Sequence, residues 1–89
     1  MSRKMEEEIL KAIGSQAVYY SEVFEEVTEN NSPWTQDEEE DFIASVQSLK
    51  DRDNINYHDH TTGKERILFS LTKSGQKRYA RVLKREGLI

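Results

Sequence analysis

The chain has 89 residues, enough for one hydrophobic core and not for two. About a third of the residues are apolar (35%) and a third charged (34%), so the core is expected to be thin and to rest on a few well-placed side chains. Cysteine is absent, which excludes disulfides, thiolate metal sites and cysteine nucleophiles, and no apolar run reaches the length of a membrane span or a secretory h-region; the expectation is a cytoplasmic protein with no membrane partner.

The first predicted element places Met5, Ile9 and Ile13 four residues apart, one stripe of an amphipathic helix, with Glu6, Glu7 and Glu8 near its positive end. Gly14 follows where a left-handed C-terminal residue is expected. Ala17, Val18, Tyr19 and Tyr20 form a short β-prone run that leads to Ser21, a good N-cap for a second helix over residues 21–28 that buries Val23, Phe24 and Val27. A turn cluster from Glu29 to Trp34 precedes Thr35, Gln36, Asp37 and Glu38, the pattern of a capping box. This opens a third helix over residues 35–49 with Phe42, Ile43, Val46 and Leu49 as its apolar face.

After Asp53 and Asn54 the period shortens from helical to alternating. Ile55 and Tyr57 lie two apart, as do Ile67, Phe69 and Leu71, and the polar stretch between them, with Gly63 at its likely tip, reads as a β-hairpin across residues 54–71. Thr72 then caps a last helix near residues 72–86 that carries Tyr79, Val82 and Leu83 on one side and ends at Gly87. No repeat, low-complexity tract or linker divides the chain, so residues 1–89 are read as a single domain.

The order helix, short strand, helix, turn, helix, hairpin, helix resembles the winged helix-turn-helix superfamily over nearly the whole chain. Its sharpest piece is Leu71-Thr72-Lys73-Ser74-Gly75, directly after the hairpin, which is similar to the strand, Leu-Thr-x-x-Gly, helix join of bacterial and archaeal regulators of the MarR and PadR groups. Leucine closes the core, threonine caps the helix, and glycine permits close packing in its first turn. The resemblance implies an α+β fold: a three-helix core, a two-stranded β-wing and a C-terminal helix. It also implies a DNA-binding transcription regulator whose second and third helices form the helix-turn-helix, with the third in the major groove and the wing along the phosphates.

The side chains this puts at DNA are Thr35, Gln36, Ala44, Gln47 and Ser48 on the third helix and Lys64 and Arg66 in the wing. The third helix departs from the pattern, because its outward face carries Asp37, Glu40 and Asp41 and no base, and carboxylates there must approach a dense row of phosphates. Charge is divided along the whole chain in the same sense. Residues 1–63 hold five basic and fifteen acidic side chains, a balance of −10, while residues 64–89 hold eight basic and two acidic, a balance of +6.

Two readings follow. In one the protein binds DNA; in the other it is a protein-interaction module whose Asp37, Glu40 and Asp41 dock a basic partner without nucleic acid. In both, Tyr79, Val82 and Leu83, with Leu88 and Ile89, are expected to pair protomers into a homodimer through the last helix, whose remaining faces are basic. His58 and His60 flank Asp59, too few ligands for a tight metal site, so no metal and no cofactor are expected. The acids sit at helix surfaces without a nucleophile or a phosphate-cradling loop, and no catalytic residues are expected.

Overall fold

The computed structural model describes residues 3–30, 33–59 and 67–87. Helix α1 spans Arg3–Ile13 and turns its stripe inward: Met5, Ile9 and Ile13 are buried, joined by Leu10. Gly14 closes it in the left-handed region at φ +62, its N–H donating to the Leu10 carbonyl at 2.9 Å. Strand β1 is Val18–Tyr19, and helix α2, Tyr20–Asn30, leaves it without a break. The helix therefore starts before Ser21, the expected cap, and runs past Thr28. Aromatic packing accounts for the earlier start, since the Tyr20 ring lies 5.6 Å from Phe42 and 5.5 Å from Phe69, while Phe24 meets Phe42 at 5.3 Å and Trp34 at 5.6 Å.

Helix α3 spans Gln36–Asp51 and packs chiefly on α1. It ends in a tight turn where Asp53 takes φ 58, a left-handed position that a short polar side chain tolerates. Strands β2, Ile55–Asp59, and β3, Ile67–Leu71, pair antiparallel with Ile55 opposite Leu71 and Tyr57 opposite Phe69. The alternation read in the sequence holds, with Ile67, Phe69 and Leu71 buried and Leu68 and Ser70 half-buried. The sheet has three strands in the order β1-β3-β2: the short strand expected near residues 17–20 joins the two-stranded wing, Val18 and Tyr19 pairing with Phe69 and Leu68 and covering the second edge of β3.

Helix α4 spans Lys73–Arg85. Its N-cap, Thr72, accepts from the Gly75 N–H at 3.0 Å and donates its hydroxyl to the Asp53 carbonyl, while its own N–H reaches the Asn54 carbonyl at 3.1 Å. Gly75 is there because nothing larger fits: a Cβ would stand 1.9 Å from the Asn54 carbonyl oxygen. The core gathers Phe42, Phe69, Ile9, Leu10, Leu49, Val23 and Val27, all fully buried, between the three N-terminal helices and the inner sheet face. Among the described residues no helix is long and apolar enough to cross a membrane.

Candidate nucleic-acid and partner interface

Helix α3 begins at Thr35, whose extended backbone and side chain cap it: Oγ1 accepts from the Glu38 N–H at 3.2 Å and donates to Glu38 Oε1 at 3.3 Å. Beyond the cap, Gln36, Asp37, Glu39, Glu40, Ala44 and Gln47 are exposed, and Asp41 is half-buried and accepts from Ser45 Oγ at 3.4 Å. Two expectations fail on this helix. Ser48, expected at the DNA face, is buried and donates to Glu6 Oε2 at 3.4 Å, and Ile43, expected in the core, is 47% exposed. The inward face is Phe42, Ser45, Val46, Ser48 and Leu49. Two small serines take inward positions, Ser45 donating to Asp41 one turn back and Ser48 to Glu6 of α1, so the buried face is rotated from the one that hydrophobicity alone selects.

The helix-turn-helix unit is strongly acidic. From Tyr20 to Asp51 it holds ten acidic side chains and one base, Lys50, a balance of −9. On α2, Glu22, Glu25, Glu26 and Glu29 are all exposed. Lys50 is held with its Nζ 4.1 Å from the centre of the Tyr57 ring, a cation–π contact that ties the end of α3 to the wing. Between α3 and the sheet runs a groove of about 190 Å³ lined by Tyr20, Ile43, Val46, Gln47, Lys50, Tyr57 and Ile67. Burial in this region, with Glu39 and Tyr57 nearby, pushes the Tyr20 phenol above its ordinary pKa. Lys64, Arg66 and His60 lie outside the described residues, as do Leu88 and Ile89.

The basic helix α4 is partly neutralised from within the protomer. Arg78 Nη1 stands 2.9 Å from Glu6 Oε1 and donates to Asn54 Oδ1 at 3.0 Å; Lys11 pairs with Glu86 at 3.0 Å; and Arg85 pairs with Glu7, which raises the guanidinium pKa further. Arg52 approaches the same Glu6 oxygen at 3.7 Å. Lys73, Lys77, Arg81 and Lys84 remain exposed without an ion pair among the described residues. Val82, expected on a pairing face, is buried inside the protomer and is corrected to a packing residue, while Tyr79 and Leu83 are half-buried. Sequence reasoning took Glu6 and Glu7 as partners of the helix dipole and missed this network. The signal was the register, since Glu6 sits one residue from Met5 and beside Leu10 on the buried face.

Three helices, a helix-turn-helix formed by α2 and α3, and a hairpin that returns into α4 define the winged helix-turn-helix class. Among solved structures, the crystal structure of a PadR family transcription regulator from a hypervirulent Clostridium difficile strain superposes with a TM-score of 0.67 over 92% of this chain and 84% of that one, at 15% sequence identity. At that identity the likeness is one of fold. No protein-family model matches the sequence, nor does any curated protein.

Proposed function

We propose that the chain is a small non-catalytic winged-helix regulator that binds duplex DNA mainly by its phosphates, through the wing. The observation that carries this reading is the fold shared, over 92% of the chain, with a transcription regulator. Lys64 and Arg66 are assigned to the backbone, and Gln36, Ala44 and Gln47, exposed along α3, to the groove, where a glutamine amide can accept from N6 and donate to N7 on the major-groove edge of an adenine. Thr35 caps the helix that presents them. Titration of a duplex at several salt concentrations tests this: affinity falls with salt at a slope of about 0.9 per neutralised phosphate. A Lys64→Ala, Arg66→Ala double variant lowers that slope with little change in sequence preference. Unchanged binding in that variant removes the wing from the contact set. Pairing of protomers through α4 is part of the proposal, with Tyr79, Leu83 and the terminal Leu88 and Ile89 carrying the contact.

A second reading is favoured by the balance of −9 on the helix-turn-helix unit. A surface of that charge repels phosphates and suits a basic protein, with Asp37, Glu40 and Asp41 facing the partner. Reversing these three to lysine distinguishes the readings. DNA binding that appears only in the reversed protein makes the carboxylates the feature that excludes nucleic acid, whereas DNA binding already present in the native protein supports the first reading.

A further inference from the structure

Among the described residues few large apolar side chains are exposed, and two of them, Ile43 at 47% and Tyr57 at 38%, line the same groove between α3 and the wing. Its volume of about 190 Å³ falls below the roughly 300–1,000 Å³ typical of small-molecule pockets and is of the scale of an inserted side chain. Val46 and Ile67 form its buried floor, and the Lys50 stem, its ammonium held over Tyr57, forms one wall. Towards the N-terminus of α3 the stripe through Ile43 and Gln47 continues one turn back into Glu39 and Glu40, both exposed. An apolar slot with an acidic approach is poorly suited to a phosphate backbone and well suited to a cationic, amphipathic chain.

We infer that this groove docks a lysine- or arginine-rich protein segment that inserts one large apolar side chain between Ile43 and Tyr57, its bases meeting Glu39 and Glu40. The inference rests on the interaction-module reading and gives that reading a site. The apolar slot sets which segment binds, and the acids steer it in and add screening-sensitive affinity. Because the groove runs between the helix and the wing, a docked segment and a DNA duplex exclude one another.

The test uses the full chain and a fluorescein-labelled synthetic helical peptide of lysines with leucines spaced three and four residues apart, beside the same peptide with glutamine in place of leucine. The expected result is binding of the leucine peptide in the micromolar range, with amide shift changes centred on Ile43, Gln47, Lys50 and Tyr57. Affinity falls about tenfold or more for the glutamine peptide and for Ile43→Ser, an exposed position whose substitution leaves the melting temperature in place. Glu39→Lys with Glu40→Lys weakens binding in low salt and much less in high salt. Equal affinity for both peptides, no loss in Ile43→Ser, or shift changes confined to the glutamates of α2 overturns the groove as the site while leaving a basic-partner module standing. Failure of both peptides to bind, with tight binding of duplex DNA, overturns the groove and the module reading together.

Discussion

Removing the Glu6 carboxylate is the sharpest perturbation of the fold. The residue is 3% exposed, its Oε1 lies 2.9 Å from Arg78 Nη1, and its Oε2 accepts from Ser48. Arg78 is itself mostly buried, with 17% of its side chain exposed, so Glu6→Ala strands a guanidinium that keeps, among the described residues, Asn54 Oδ1 as partner. Breaking a fully buried pair from one side costs about 3–5 kcal/mol. The residual exposure of Arg78 and its bond to Asn54 place this case at or below the bottom of that range, about 2–3 kcal/mol, and the outlying Arg52, 57% exposed, adds little. In a domain of this size that corresponds to a fall of roughly 10–20 °C in Tm. Urea denaturation followed by circular dichroism measures it. Pairing Glu6→Leu with Arg78→Met, which removes both charges and keeps the volume, is expected to restore much of the loss. A Glu6→Ala variant within about 1 kcal/mol of the parent would refute the reasoning, and so would a double variant no better than the single one.

Gly75→Ala drives a Cβ into the Asn54 carbonyl, a backbone atom that cannot swing aside, and is expected to cost several kcal/mol, at the large end of single substitutions, read as a drop in the urea midpoint. Thr72→Ala removes the cap on α4 and its bond to Asp53, with an expected loss of about 1–2 kcal/mol by the same assay. Lys11→Ala, whose pair with Glu86 is a third exposed, is expected to stay within about 1 kcal/mol, which calibrates the Glu6 result. Tyr20 holds its proton to higher pH in the folded chain than in the unfolded one, where it is released near the ordinary tyrosine value. Stability from this group is therefore full below about pH 10 and is lost as pH rises above it, a decline that Tyr20→Phe abolishes in alkaline unfolding curves.

Most elements were legible because their signals are local. The change of period at Asn54, the Thr72 cap and the Gly75 contact are each written in a few adjacent residues, and the structure bears them out. What was not legible depended on distant partners. The short strand at Val18 and Tyr19 was read from its β-prone run, but its pairing with Phe69 and Leu68 of β3, about fifty residues on, was not. Ser48 turns inward because a glutamate 42 positions earlier needs a donor, and Ile43 turns outward as the same rotation completes itself. The proposed interface was legible in its acids and not in its groove, because the groove exists only where α3 and the wing meet. The division of charge was visible as a total, but its partial cancellation between α1 and α4 needed coordinates.

The joint around Asn54 reaches beyond its local bonds. Its carbonyl receives the Thr72 N–H and lies against Gly75, its amide oxygen receives Arg78, and the next residue opens the wing. The last turn of α3, the root of the hairpin and the first turns of α4 thus meet at one residue. A substitution at Asn54 is therefore expected to loosen all three elements together, where a change farther along α4 reaches only one of them.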